Sequence, residues 1–411
     1  MGMNKICGLD IGTSKVVAVI GGVSDTGDLR VDGIGEADSL GLRKGVVVNV
    51  DKTVESIERA LRDAELMSGV QIDRVYTSIA GGHIKGMNSR GVVACGGGRE
   101  ISEKDVDRVI EAAKAVSIPA DREVIHIIPR EFIVDGQDGI RDPVGMSGIR
   151  LEAEVHIVTG AVTSAQNIIH SVNKAGLRVE DIVLEPLASA LAVLTDDEKD
   201  MGCILVDIGG GTTDIAIFID GNLWHTDVIL VGGENVTKDL SVGLRAPLAA
   251  AEKVKVKAGA AIAEMVEPDE TVEVPTVGSR PAEMIPRRKL VEIIGPRLEE
   301  LFIILGNEIK KTGLGPLISG GVVLTGGVAA TPGVDRLAEQ ILQMPARVGK
   351  PSGVKGIADM VDSPRYSTAV GLLIYARETG QMAPGAKLLD GAMFRSVARS
   401  MKDWFREFIR S

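Results

Sequence analysis

Two stretches of this chain, about 200 residues apart, repeat one another. The first is Ile6-Cys-Gly-Leu-Asp-Ile-Gly-Thr-Ser-Lys-Val-Val-Ala-Val-Ile20 and the second is Ile204-Leu-Val-Asp-Ile-Gly-Gly-Gly-Thr-Thr-Asp-Ile-Ala-Ile-Phe218. Each is an apolar run, then Asp-Ile-Gly, then Thr or Ser, then a second apolar run. Self-similarity at this distance marks a duplicated domain, which restricts the chain to architectures with two equivalent halves.

The apolar runs Ile6–Leu9, Val16–Ile20, Ile204–Val206 and Ile215–Ile219 are short and rich in β-branched residues, as buried strands are. Each glycine loop therefore joins strand to strand as a hairpin. That separates it from the Rossmann fingerprint and the P-loop, whose glycines open a helix. Gly12 and the run Gly209, Gly210 and Gly211 let the backbone come close to an anion. Their N–H groups, with the hydroxyls of Thr13, Ser14, Thr212 and Thr213, form a cradle for phosphate oxygens. Lys15 adds a point charge. Asp10 and Asp207, at the strand ends, suit a hydrated Mg²⁺ beside a phosphate, and Asp214 belongs to the same candidate set. Either loop alone reads equally well as a turn with Asp and Gly in turn positions. The matched pair favours two clasps facing each other across a nucleotide.

Three further pieces accompany the clasps. Leu184–Leu194 reads as a small-residue helix, and Glu185 at its start can orient a water for attack on a terminal phosphate. An acid and a proline in a first helical turn are also ordinary helix-start chemistry. Val322-Val-Leu-Thr-Gly-Gly-Val328 is a strand ending in Gly326 and Gly327, open to close approach by a nucleoside. Gly233 opens the segment after the second clasp. Glu252 and Lys255, spaced i, i+3, can hold a ribose or adenine edge or form a surface ion pair.

With both clasps and the Leu-Thr-Gly-Gly motif in this order, the chain resembles the superfamily of actin, sugar kinases and heat-shock chaperones. Within it, the chain looks like a member of the FtsA family of bacterial cell-division proteins. Ile79-Ala-Gly-Gly-His-Ile-Lys85, Gly232-Gly-Glu-Asn-Val-Thr-Lys-Asp-Leu240, Ala251-Glu-Lys-Val-Lys255 and Tyr366-Ser-Thr-Ala-Val-Gly-Leu372 carry that resemblance, which covers about residue 3 to residue 376. It implies an α/β, actin-like two-lobed fold with duplicated mixed-sheet domains, an inserted α+β subdomain and ATP with Mg²⁺ in the cleft. It also implies self-association into filaments and docking of the acidic tail of the tubulin-like FtsZ on the helical part of the second lobe. Lys289, Arg297 and Leu301 are the matching positions here.

A chain of 411 residues is too long for a single compact core and suits several units. A net charge of −11 gives no case for nucleic-acid binding. The three cysteines, Cys7, Cys95 and Cys203, sit in apolar or glycine-rich runs and read as buried thiols. No early stretch resembles a signal peptide, because Asp10 interrupts the apolar run, and no uncharged run reaches spanning length. A cytoplasmic chain is expected.

Along the chain, 1–83 is expected to start the first lobe, with a helix at Lys52–Met67. Residues 84–165 form the insertion, with a strand at Gly91–Cys95, a helix from Ser102 to about Val116, and strands at Glu123–Ile128, Glu131–Val134 and Glu154–Thr159. Residues 166–200 return to the first lobe. Residues 201–231 rebuild the strand meander as the second lobe. Residues 232–305 are helical, with a loop at 266–286 and a kink at Pro296. Residues 306–345 complete the second lobe, 346–377 complete the first, and 378–391 form a linker.

On a helical wheel, residues 392–410 put Phe394, Val397, Met401, Trp404, Phe405, Phe408 and Ile409 on one side and five basic residues on the other. Four of the chain's eleven aromatics lie here, and the segment carries +3 against −11 for the whole. A docked terminal helix shows the same stripe, but the aromatic loading and the reversed sign favour a helix lying on an anionic phospholipid membrane surface. The functional expectation is an ATP-binding division protein, at most a weak ATPase, that polymerises at the septum. It would tether the FtsZ ring to the inner face of the cytoplasmic membrane, with other division proteins as further partners. A pilus-assembly protein or a sugar-kinase-type phosphotransferase of the same superfamily is the alternative.

Overall fold

The computed structural model describes residues 5–24, 27–96, 99–278 and 281–379. The chain opens with β1 (Ile6–Ile11), β2 (Lys15–Val23) and β3 (Leu29–Asp38). A short hairpin of β4 (Leu42–Arg43) and β5 (Val46–Val47) follows, then α1 (Val50–Ser68) and β6 (Arg74–Ile79). The Asn49 side chain starts α1 by accepting from the Lys52 N–H, filling one of the donors a helix start leaves open. An inserted unit comes next: β7 (Lys85–Ala94), α2 (Glu103–Ala113), β8 (Arg122–Val134), β9 (Gln137–Ile140) and β10 (Arg150–Ala161). Then come α3 (Val162–Lys174), β11 (Arg178–Leu184), α4 (Glu185–Val193) and α5 (Asp196–Met201).

The second half runs through β12 (Cys203–Ile208), β13 (Thr213–Ile219), β14 (Asn222–Ile229), α6 (Gly233–Gly243) and α7 (Leu248–Ala258). It continues with β15 (Thr271–Val274), β16 (Glu283–Pro286), α8 (Arg288–Thr312), β17 (Val322–Thr325), α9 (Val334–Leu342) and β18 (Ala346–Val348). The chain then returns to the first sheet with β19 (Lys355–Gly356) and ends its described part in α10 (Ser367–Glu378).

The duplication is visible in the topology. The first sheet has the order β11-β6-β1-β2-β3-β19 and the second β14-β13-β12-β17-β18. Strand for strand, β1, β2, β3, β6 and β11 correspond to β12, β13, β14, β17 and β18. In each sheet the first strand is antiparallel to the second and parallel to the fourth. Both faces are covered, which is why the strands read as unbroken apolar runs. In β12, Cys203 and Leu205 join the core that holds α4 and α10, while Ile204, Val206 and Ile208 join the core of α6, α8 and α9.

The inserted sheet, ordered β7-β10-β8-β9, packs α2 on one face. Its other face meets β14 of the second lobe. There His156 lies between Asn88 (2.7 Å) and Thr226 (2.9 Å), and the Arg130 guanidinium stacks 3.7 Å from the Trp224 ring.

Several boundaries differ from the sequence expectation. β8 is one strand, not two, because Pro129 sits at a register shift opposite Val155, where a missing N–H is tolerated. β7 starts at Lys85 rather than Gly91. The 266–286 loop contains the β15–β16 hairpin. α8 runs on to Thr312 with Pro296 inside it, on the exposed side. The helical-wheel residues Phe394 to Ile409 lie outside the described residues.

Candidate functional site

The two glycine loops have the same backbone. In the first hairpin Ile11 pairs with Val16 and Gly12 N–H donates to the Lys15 carbonyl at 3.0 Å. In the second, Ile208 pairs with Thr213 and Gly209 N–H donates to the Thr212 carbonyl, also at 3.0 Å. The loops meet across a cleft of about 650 Å³, a size that suits a small-molecule site. Contact is close: a Cβ added to Gly210 would overlap Ser14, and one added to Gly211 would lie 2.9 Å from the Thr13 hydroxyl and the Lys44 Cα. The back of the second loop is held by α6, whose Gly233 and Glu234 N–H groups donate to the Gly209 and Gly210 carbonyls at 2.9 and 2.8 Å.

Each strand-end acid is fixed by hydroxyls. Asp10 accepts from Ser78 at 2.8 Å. Asp207 accepts from Ser189 of α4 at 2.6 Å and from Thr368 of α10 at 3.4 Å. Both acids are buried, at 6% and 2% exposure. Burial raises the Asp10 carboxyl above its ordinary value and pushes Asp207 up to about 6. Asp214, paired across the strands with Asp207, is pushed up to about 8 by burial and by the Asp207 charge. Neither Asp214 oxygen meets a hydrogen-bond partner. Burial and the same three aspartates hold Glu185 well above its usual range. Lys15 is pulled down to about 8 by burial and by Arg365.

This surplus of buried acid is the feature that fits a divalent cation. Among the described residues no group of three or more His, Cys, Asp and Glu forms a metal cage. An ion here would take one or two carboxylates and fill its remaining positions with water and phosphate oxygens, which is the habit of Mg²⁺ rather than of a protein-caged metal.

Opposite the clasps, Gly326 closes the end of β17 with φ +85°, a conformation glycine adopts without strain; a Cβ there would strike Asp207. On α7, Glu252 and Lys255 pair at 2.7 Å, and Lys255 also donates to the Thr237 hydroxyl at 2.9 Å and the Gly233 carbonyl at 3.2 Å. They form an ion pair that lines the cleft.

Of the residues singled out from sequence, the structure brings Asp10, Gly12, Thr13, Ser14, Lys15, Glu185, Asp207, Gly209, Gly210, Thr212, Gly233, Glu252, Lys255, Gly326 and Gly327 to this cleft. Three lie behind it. Gly211 packs on the neighbouring loop, Thr213 is fully buried and donates to the Val231 carbonyl at 2.8 Å, and Asp214 sits beneath Asp207. On α8, Lys289 is exposed and Arg297 pairs with Asp239 at 2.6 Å and with Glu300. Leu301 does not fit its expected place on a docking surface. It is 2% exposed and belongs to the second-lobe core, on the same helix face as Leu298 and Leu305.

Sequence reading missed Ser78, Ser189, Thr368, Glu36 and Arg365. Thr368 lies inside the Tyr366–Leu372 motif, which offered a signal. Ser189 lies inside the Leu184–Leu194 helix read with Glu185, whereas Ser78, Glu36 and Arg365 reach the site only through long-range folding.

Duplicated sheets with Asp-led glycine loops facing each other define an actin-like protein. The solved structures agree. The chain superposes on a protein of the PilM–PilN type IV pilus biogenesis complex with a TM-score of 0.67 at 17% identity, covering 91% of this chain and 98% of that one. It superposes on MreB5 of Spiroplasma citri bound to ADP with a TM-score of 0.55 at 15% identity, covering 90% and 95%. The family described as Cell division protein FtsA matches residues 204–371, and the SHS2 domain inserted in FtsA matches residues 81–159. Relatives named Cell division protein FtsA are 50% identical in Pseudomonas aeruginosa (90% of this chain, 88% of the relative) and 40% identical in Escherichia coli K12 (91% and 90%). The chain belongs to the FtsA family of cell-division proteins. Among the described residues, no helix is long and apolar enough to cross a membrane.

Proposed function

We propose that this division protein binds ATP with Mg²⁺ between its lobes, assembles into filaments, and ties an FtsZ polymer to the inner membrane surface at the septum through residues 392–411. The observation that carries the nucleotide reading is the meeting of two glycine hairpins with the same pairing, each backed by a buried acid, across one cleft. The bound ADP of the MreB5 structure supports it by analogy of fold.

In this reading the N–H groups and hydroxyls of both loops hold the phosphates, and Lys15 offsets their charge. Mg²⁺, when bound near Asp10 and Asp207, neutralises phosphate charge. Burial and the neighbouring aspartates oppose ionisation of Glu185, so it orients a water but accepts a proton poorly. Slow turnover follows.

On α8, exposed Lys289 offers charge to an acidic FtsZ tail, while Arg297 engages it by exchange from Asp239. The amphipathic pattern of 392–410 supports reversible membrane contact, which filament formation strengthens by multiplying the anchors.

The test is calorimetry with Mg·ATP. Asp207→Ala is expected to lose at least about 30-fold in affinity, the scale of a lost charged contact, with secondary structure retained. Unchanged affinity removes the nucleotide reading. Sedimentation with anionic liposomes tests the tail: Trp404→Glu with Phe405→Glu is expected to stay in the supernatant and still bind ATP.

A further inference from the structure

The five residues Pro364–Thr368 touch the first clasp, the acid of the second and the end of β17. The Pro364 carbonyl accepts from Gly326 N–H at 3.1 Å and from the Thr325 hydroxyl at 3.2 Å. The Arg365 carbonyl accepts from the Lys15 ammonium, which also lies 4.7 Å above the Tyr366 ring. Thr368 reaches Asp207. The Arg365 guanidinium pairs with Glu36, whose second oxygen accepts from the Tyr366 hydroxyl at 3.1 Å. Both Arg365 and Glu36 line the cleft, with side chains 38% and 32% exposed.

The rim of the first clasp therefore holds two cations, Lys15 and Arg365, and two acids, Glu36 and Asp38, of which Glu36 pairs with Arg365. Lys15 is bonded to a neutral carbonyl, a weaker partner than a phosphate oxygen. Arg365 is held by a carboxylate at the surface, where an ion pair contributes little and exchanges readily. Its planar fork matches phosphate as well as it matches carboxylate. The Lys15 ammonium and the Arg365 guanidinium lie 4.7 and 5.4 Å from the same Tyr366 ring, so the two cations flank one stretch of rim and can share one polyanion.

We propose that Arg365 distinguishes a nucleoside triphosphate from the diphosphate, leaving Glu36 to contact the terminal phosphate while Lys15 and the loop amides serve the inner ones. This assignment rests on the nucleotide reading above. Glu36 is the competing partner that keeps the guanidinium parked when no terminal phosphate is present. The exchange is reported into the fold, because the same turn leads directly into α10, where Ser367 bonds Thr325 (2.7 Å) and Thr368 bonds Asp207.

The experiment is calorimetry of the full chain and its variants with Mg²⁺ and either ADP or a non-hydrolysable ATP analogue. Arg365→Gln is expected to lose roughly tenfold or more in triphosphate affinity, as for a charged hydrogen bond, with diphosphate affinity changed less than about twofold. Arg365→Lys is expected to fall between, and Glu36→Gln to raise triphosphate affinity severalfold by freeing the guanidinium. Melting temperatures near that of the unaltered chain show that the variants are folded. Equal losses for both nucleotides in Arg365→Gln, or no loss for either, overturn the assignment and leave the nucleotide reading standing. An unaltered chain that binds neither nucleotide overturns both.

Discussion

The two clasps share one backbone and divide the chemistry. In the first loop, Gly12-Thr13-Ser14-Lys15, three of four residues carry a hydroxyl or a charge. In the second, Gly209-Gly210-Gly211-Thr212, three of four carry no side chain. The reason is steric. The loops approach so closely that the side chains of the first occupy the space where side chains of the second would be. The acids differ in the same asymmetric way. Asp10 is held by Ser78 of the neighbouring strand in its own sheet, whereas Asp207 is held by α4 and α10, which lie between the sheets. The insertions differ too. The first lobe takes its extra unit after β6, the second takes α6, α7 and the β15–β16 hairpin before α8. A duplicated fold thus keeps its strands and register and varies its loops, which is where function is placed.

The largest effect should come from making the loops equally bulky. Gly210→Ala drives a methyl into Ser14, and ATP affinity is expected to fall by roughly 100-fold with a larger radius of gyration in small-angle scattering. Gly12→Ala meets only its own turn, at 3.0 Å from the Lys15 carbonyl, and should cost under about tenfold. Equal losses in the two variants would erase the steric argument.

Making the loops equally uncharged is the next test. Lys15→Thr gives the first loop the residue that ends the second, and ADP affinity should drop roughly tenfold. Burial and Arg365 pull the Lys15 amine down to about 8, so wild-type affinity should weaken as pH rises through 8, and the variant's should not.

A smaller effect separates Asp214 from its first-lobe counterpart, Val17, which holds the same place opposite Asp10. The Asp214 carboxyl is raised from 3.8 to about 8. Its contribution is therefore complete below pH 4 and is lost as pH rises through 8, since the unfolded chain ionises first. Asp214→Asn should melt about 5 °C above wild type at pH 8.5 without ligand, and the gap should close near pH 4.

The smallest effect concerns the insertion's contact with the second lobe. Arg130→Ala loses the stacking on Trp224 and should lower the melting temperature by about 2–4 °C. A larger drop would show the insertion to be a structural strut.

The duplication was legible because hairpin loops between buried strands combine two strong signals, continuous β-branched runs and Asp-Gly turn chemistry. In α8 the signal is different: Leu290, Ile294, Leu298, Leu301 and Leu305 recur at helical spacing, and all five are buried. That periodicity also argued against Leu301 as a surface contact, since a residue on the core stripe is spent on packing. Pro129 misled because proline usually ends a strand, and only the pairing partner reveals the bulge that accommodates it. Thr271–Val274 is too short to announce itself as a strand without seeing Glu283–Pro286 beside it. Arg365 was invisible because its contacts with Lys15 and Glu36 span about 330 to 350 positions of sequence.

The attachment of α10 has a mechanical consequence. It is the last element among the described residues, and it holds the second-clasp acid through Thr368 and the end of β17 through Ser367. Tension on the chain beyond Thr379 is delivered first to the helix that joins the two halves of the site. Whatever grips the far end of this chain pulls on the floor of the cleft, so load and occupancy act on the same few hydroxyls.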